Sequence, residues 1–211
     1  MTPPPNPRHQ PPSHPLPSDT EGGLLVVISG PSGVGKTTIT RAVERAIPGA
    51  VFSVSATTRA RTDADVEGVD YTFLTDAEFD RRVAAGEFLE HAVYNTKKYG
   101  TLRAPVEANL RRGRLVILEI DVQGAKSVKR QMPDAFALFV LPPDEPTLLQ
   151  RLRDRKREDE PAIQRRFALA QREISEARAS GAYDAFIVND TLERAITEAL
   201  RLVNARRSGR G

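Results

Sequence analysis

The chain alternates between short apolar runs and longer stretches whose apolar positions recur every three or four residues. The runs are Leu24-Leu25-Val26-Val27-Ile28-Ser29, Val51 to Ser55, Leu115 to Asp121, Phe136 to Leu141 and Phe186-Ile187-Val188. Most are uninterrupted and rich in β-branched side chains, as strands buried on both faces of a parallel sheet are. Helical stretches lie between them: Thr38 to Ala46, Leu102 to Arg112, Gln123 to Lys129, Asp144 to Arg153, and a last one to about Val203. Pro48-Gly49 and Gly113 supply stop signals. A longer helix carries Ile163, Phe167, Ala170, Ile174 and Ala177 on one stripe, which reads as core packing. Strands alternating with helices in this way predict an α/β fold, with a central, mostly parallel sheet flanked by helices.

Residues 56–99 break this rhythm. Ser55-Ala56-Thr57-Thr58-Arg59-Ala60-Arg61-Thr62-Asp63 is a run of hydroxyls and guanidiniums without apolar period. Tyr71-Thr72-Phe73-Leu74 predicts a short strand. Thr75 and Glu78 form a capping box for a helix to about Ala85, with Phe79 and Val83 inward. Phe88 to Tyr94 is strand-like. With no long buried run, this region reads as a small module beside the main sheet. The stretch from Arg151 to Pro161 is too charged to be covered. Residues 1–23 hold eight of the sixteen prolines and nothing to bury, so a disordered tail is expected there, and fraying at 206–211.

Composition narrows the chemistry. With 211 residues the chain can build one substantial core. Thirty-one basic and 28 acidic side chains give a net charge of +3, too mild to indicate nucleic acid. Cysteine is absent, which excludes disulfides and thiol catalysis, and the three scattered histidines argue against a zinc site. No apolar run approaches the roughly 20 residues needed to cross a bilayer. The N-terminus lacks a signal peptide's apolar core. A cytoplasmic protein without nucleic-acid or membrane partners is expected.

The first apolar run is followed by Gly30-Pro31-Ser32-Gly33-Val34-Gly35-Lys36-Thr37-Thr38. The glycines let the backbone wrap a phosphate with its N–H groups inward, and the following helix adds unpaired N–H groups and the positive end of its dipole. Lys36 is placed to reach the β- and γ-phosphates and Thr37 to offer a hydroxyl to Mg²⁺. A nucleoside triphosphate is the predicted ligand. Asp121 ends a buried run, where a magnesium-side carboxylate sits, although plain helix capping is an alternative. Glu119 shares its face of the strand. Arg59, Arg155 and Arg166 offer the planar positive charge that phosphoryl transfer requires.

Several strings in order make the pattern more specific: GPSGVGKTT, FSVSATTR, GVDYTF, GEFLEHAVY, KYGT, VILEIDVQGAKSVK, LPPDEPTLLQRLRDR, RRFALAQRE and IVND. On these the chain resembles the guanylate kinase family from about Leu24 to Val203. The resemblance implies the P-loop nucleoside monophosphate kinase fold over 24–205, with a GMP-binding module at 54–105 and a short lid at 151–166. It implies transfer of a phosphoryl group from MgATP to GMP, and to dGMP. Gly30 to Thr38, with Arg155 and Asn189, would then serve ATP. Ser55, Arg59, Tyr71 and Tyr99 match positions that hold the acceptor phosphate. Glu90 and Thr101 match the groups that recognise guanine. Glu119 matches an acidic position near the guanosine, and Asp121 matches the one near the phosphates and the metal, which it would hold with Thr37. Lys36, Arg59, Arg155 and Arg166 would stabilise the transferring group.

Two positions depart from the family pattern. Thr62 stands where a second acceptor-phosphate arginine is usual, with Arg61 one place earlier: either the loop shifts so that Arg61 serves the GMP phosphate, or that contact is weakened. Lys156 replaces the usual glycine after the lid arginine. Three rival readings remain: a kinase for another phosphorylated acceptor, a non-catalytic interaction module, and a nucleic-acid-dependent ATPase. No obligate protein partner is expected, and self-association stays open.

Overall fold

The computed structural model describes residues 22–154 and 159–209. Strand β1 (Leu24–Ser29) is buried along its whole length and occupies the centre of a five-stranded sheet. Its neighbours are β7 (Leu115–Glu119) and β8 (Phe136–Leu141), with β2 (Val51–Phe52) and β9 (Ala185–Val188) at the edges, and every pairing is parallel. Side chains of β1 alternate between two cores. Leu24, Val26 and Ile28 join Ile39 and Val43 of helix α1 (Lys36–Ala46) and Ala195, Ala199 and Val203 of α7 (Leu192–Ser208). Leu25 and Val27 join Val106 of α3 (Arg103–Arg111) and Ala125 and Val128 of α4 (Val122–Gln131). Helices therefore cover both faces. From β1 the chain runs first towards β2 and β7 and later towards β8 and β9, so the loop after β1 lies at the reversal of strand order, where such sheets bind ligands.

A second sheet orders its strands as β4 (Thr72–Phe73), β3 (Ala56–Thr57), β6 (Lys97–Leu102) and β5 (Phe88–Tyr94). Its core is small: Ala56, Phe88 and Leu102 close on Phe79 of α2 (Asp76–Ala84), whose ring stacks on Phe88 at 4.5 Å between centroids. The module is tied to the main body where Ser127 and Gln131 of α4 donate to the Leu89 carbonyl of β5. Remaining helices α5 (Glu145–Arg153) and α6 (Glu160–Ser180) pack through Leu148, Leu152, Ile163 and Ala170. The α6 stripe is core, as its spacing predicts.

The structure adds to or corrects the sequence pattern at four places. The run Ser55–Asp63, which has no apolar period, nevertheless holds a strand, because Ala56 and Thr57 pair with Gly100 and Tyr99 as β3. Strand β6, for which no apolar period spoke, is held by its hairpin with β5. The strand expected to reach Asp121 stops at Glu119, since Asp121 turns to cap α4. Finally, α7 continues to Ser208 instead of fraying from 206: the Arg206 guanidinium lies 5.9 Å from the Phe136 ring centroid and the Ser208 hydroxyl donates to the Asn204 carbonyl.

Candidate active site

The loop from Gly30 to Gly35 is shaped by contacts that exclude side chains. A Cβ on Gly30 would lie 2.5 Å from the Val140 carbonyl oxygen, and one on Gly35, where φ is +93°, would lie 2.7 Å from the Asn189 amide nitrogen. Gly30→Ala is expected to cost about 1–3 kcal/mol of stability. A thermal melt should therefore show Tm lower by about 2–4 °C for each kcal/mol. Helix α1 opens on Gly35 with no side-chain cap and no acid in its first turn. Thr75, Asp121, Asp144 and Asp159 cap α2, α4, α5 and α6 with side-chain oxygens, while α3 and α7 share with α1 the lack of a side-chain cap. No side-chain cap competes at this end of α1, and a helix N-terminus suits an anion. Lys36 folds over this nest, its Nζ donating to the carbonyls of Gly30 and Pro31.

Around the loop, Arg166 of α6 donates to the Ser32 hydroxyl. Asn189 donates its side-chain N–H to the Val34 carbonyl at 2.8 Å, fixing the loop to the end of β9. The Asn189 main-chain carbonyl accepts from Arg151 at 3.0 Å. Asn189 Oδ1 and Arg151 Nη1 are both buried without a hydrogen-bond partner among the described residues. Arg155, expected on the lid, lies outside the described residues, as does Lys156.

The carboxylate that faces Thr37 belongs to Glu119, which accepts from the Thr37 hydroxyl at 2.7 Å. Asp121 points its Oδ1 at the Gly124 N–H, 2.7 Å away, and so does the capping that the sequence left as an alternative. Glu173 of α6 was missed by sequence reasoning. Burial pushes its carboxyl up and the nearby Lys36 ammonium pulls it down, so it belongs to the same electrostatic neighbourhood. Its only sequence signal is the RRFALAQRE string. Among the described residues no group of three or more His, Asp and Glu is arranged to hold a metal by itself.

The second half of the site lies on the small module. Thr57 and Thr58 are buried, and their hydroxyls complete the β3–β6 ladder: Thr57 donates to the Lys98 carbonyl and Thr58 accepts from the Lys98 N–H. The chain therefore leaves β3 in a fixed direction at Arg59, whose N–H is held by Thr57 Oγ1 at 3.1 Å. The Arg59 guanidinium sits 5.2 Å from the Tyr71 ring centroid and 5.4 Å from that of Phe73, and Tyr71 meets Tyr99 edge-on at 5.9 Å. Ser55 precedes β3 and accepts through its carbonyl from Thr72. Arg61, by contrast, is turned to the Asp65 carbonyl and is exposed.

Glu90 is 8% exposed, and Thr101, directly across the hairpin, donates to its Oε1 at 2.6 Å. Its other oxygen faces Gly124, where a Cβ would lie 3.1 Å away. Burial raises the Glu90 carboxyl to about 7, against the Thr101 hydrogen bond and with a smaller push from the Asp121 charge. A buried carboxylate with a free oxygen is a receptor for paired N–H donors.

A phosphate nest, a facing hydroxyl–carboxylate pair, and a module presenting an arginine, two tyrosines and a buried carboxylate now stand together. The family model for guanylate kinases matches residues 23–206. The chain belongs to the guanylate kinase family. It is similar to the guanylate kinase of Anaeromyxobacter dehalogenans, 46% identical over 186 residues, 88% of this chain and 81% of that one. A guanylate kinase of Symbiobacterium thermophilum is likewise 46% identical, covering 88% and 87%. The fold is similar to the crystal structure of guanylate kinase from Anaplasma phagocytophilum, with a TM-score of 0.67 at 31% identity over 89% and 88% of the two chains. These likenesses support kinase activity and small-molecule substrates. No helix among the described residues is long and apolar enough to cross a membrane.

Proposed function

We propose that this protein transfers the γ-phosphoryl group of ATP to GMP, and to dGMP, with Mg²⁺. The observation that carries the reading is Glu90. It is a buried carboxylate held on one oxygen by Thr101 and lies on the same module as Arg59, Tyr71 and Tyr99. Guanine presents N1–H and N2–H₂ as adjacent donors for such a group, and adenine has no such pair. Ser55 stands at the same strand entrance, where the acceptor phosphate is expected.

The donor end follows from the loop. Backbone N–H groups from Gly30 to Thr38 cradle the ATP phosphates, Lys36 neutralises the β- and γ-oxygens, and Arg166 adds charge beside Ser32. Arg155 would join from the lid. Asn189, whose Oδ1 is buried without a hydrogen-bond partner among the described residues, would serve the nucleoside end of the donor. Hard oxygen donors suit Mg²⁺, and the Thr37 hydroxyl and the Glu119 carboxylate offer such donors side by side. Thr37 and Glu119 would hold it, whereas Asp121, expected on the metal side, gives its Oδ1 to the Gly124 N–H. When bound, Mg²⁺ supplies charge neutralisation between the donor phosphates.

The acceptor phosphate is already an anionic nucleophile, so the residues need supply no strong base. Arg59, Tyr71 and Tyr99 align it, and the module and lid exclude water. Little ATP hydrolysis is expected without acceptor. A coupled ADP-release assay with MgATP and GMP, dGMP, AMP, UMP, CMP or TMP tests the reading, with a no-acceptor control. Turnover confined to GMP and dGMP is the expected outcome. Turnover with another acceptor overturns the guanine assignment, and silence with all six favours a non-catalytic module.

A further inference from the structure

The loop after Arg59 is organised around one carboxylate. Asp65 accepts from Arg59 end-on, with Nη2 to Oδ1 at 2.8 Å and Nη1 to Oδ2 at 2.9 Å. The same Oδ2 accepts from the Thr62 N–H at 2.8 Å and from the Thr62 hydroxyl at 2.6 Å. Arg61 closes the turn by donating to the Asp65 carbonyl. Arg59 also donates from Nη1 to the Ala60 carbonyl at 3.0 Å. Its side chain is 29% exposed and that of Asp65 14%. Five donors on one residue make this the densest polar knot of the module's irregular segment. The Arg59 and Thr62 hydrogen bonds hold the Asp65 carboxyl far below the usual carboxylate range.

The end-on geometry decides what Arg59 can still offer. Both Nη1 hydrogens and one Nη2 hydrogen are committed, whereas Nε–H and the second Nη2–H make no hydrogen bond to a described residue. Those two form the side-on fork of the guanidinium, which matches two oxygens of a phosphate. The ring of Tyr71 lies against the guanidinium, so the plane cannot swing freely. We propose that Asp65, clamped by Thr62, is the positioning residue that aims the side-on edge of Arg59 at the phosphate of the acceptor nucleotide. Thr62 thus does not merely lack the charge of the arginine usual at that position; its two hydrogen bonds pre-orient the arginine that is present. An oriented fork pays its ordering entropy before the ligand arrives, and so recovers affinity that a missing cation would have contributed.

The inference rests on the reading of this module as the acceptor site, and its tests separate the two. Asp65→Ala is expected to raise KM for GMP by about tenfold or more, because a charged hydrogen-bond pair is lost. KM for ATP should stay unchanged, with kcat lowered much less than KM is raised. Thr62→Val, which deletes only the hydroxyl, is expected to raise KM for GMP by roughly two- to tenfold. Thr62→Ser should restore it. In an Arg59→Ala background, Asp65→Ala should have no further effect, since the carboxylate acts through that arginine. A fall in KM for GMP in Asp65→Ala overturns the proposal, because Asp65 would then be a competitor of the phosphate. Equal KM in wild type and variant overturns it too. If the wild-type protein prefers another monophosphate, the guanine reading fails and the same ratios are read with that acceptor. A readout without turnover is the arginine side-chain NMR spectrum of the ligand-free protein. Rotation of the Arg59 Nη groups should be restricted in wild type and free in Asp65→Ala, and equal rotation in both overturns the clamp.

Discussion

Replacing Lys36 with Met is expected to lower kcat for phosphoryl transfer by about 10²–10³-fold or more. The side chain sits where two requirements meet. Its Nζ bonds the Gly30 and Pro31 carbonyls, holding a positive charge over a nest of N–H groups that α1 leaves uncapped. In a loose phosphoryl-transfer transition state, negative charge spreads over the γ-phosphoryl oxygens and the bridging oxygen. On the proposed reading the Lys36 ammonium meets that charge, so its removal should fall mainly on kcat. Methionine keeps the length and apolar stem. Single-turnover quench-flow separates chemistry from product release, and calorimetry with GMP checks that the acceptor module is intact. A loss below about tenfold, with GMP binding unchanged, would mean that Lys36 only braces the loop.

Glu90→Gln is expected to reduce kcat/KM for GMP by about 10²-fold or more, through KM, and to narrow the gap between GMP and AMP. Gln keeps the size and can still accept from Thr101, but its amide end offers donors where guanine also offers donors. The pH dependence adds a second signature. Because burial raises the Glu90 carboxyl to about 7 in the free site, the guanine-competent carboxylate is the minority form at pH 6 and the majority form at pH 8. Apparent affinity scales with that fraction, so KM for GMP should be roughly tenfold higher at pH 6 than at pH 8. The phosphate of GMP also titrates in this range, and the Glu90→Gln profile carries only that contribution. Subtracting the two profiles therefore isolates Glu90.

The linked effect on stability has the opposite sign. A carboxyl raised from 4.5 to about 7 on folding contributes stability that is full below pH 4.5 and is lost as pH rises through 7. Ligand-free Glu90→Gln should accordingly gain stability over wild type between pH 5 and 8, as read by urea unfolding. Weakened binding accompanied by raised stability is the mark of a group held in the fold for recognition. A flat stability difference across that range would place the Glu90 carboxyl at its ordinary value instead.

The strongest features of this protein were legible because they are local. Leu24 to Ser29 reads as a buried strand from composition alone, and the glycine spacing after it demands backbone that few other residues adopt. The alternation of runs and helical stretches carried the parallel sheet. The module was less legible. Strand β6, Lys97 to Leu102, has no apolar alternation, and its hairpin turn is Asn95-Thr96, with φ of 47° and 64°, in place of the glycine-bearing pair that usually announces such a turn. Its existence depends on pairing with β5 and β3, and a window of sequence holds no record of that. Likewise Ser55 to Asp63 shows no apolar period, because hydroxyl groups, not apolar side chains, complete its ladder.

Assignments within the site divide in the same way. The resemblance carried Arg59, Tyr71, Glu90 and Tyr99 by position, and the fold sets Arg59 beside Tyr71 and Tyr71 beside Tyr99. It put Asp121, with Thr37, on the metal side and Glu119 near the guanosine, but Asp121 is not the acid that meets Thr37. Glu119 does, because the strand ends there and Asp121 is drawn off to cap α4. Nor could it show that Asp65, six residues from Arg59, folds back on it, since that contact depends on the turn built by Thr62 and Arg61. Residue types, periodicities and backbone permissions are properties of the chain by itself, and they determined the sheet, the phosphate loop and the class of chemistry. Which carboxylate faces which hydroxyl, and how a guanidinium is aimed, depends on tenths of an ångström between residues far apart in sequence. Only the packed tertiary structure sets those distances.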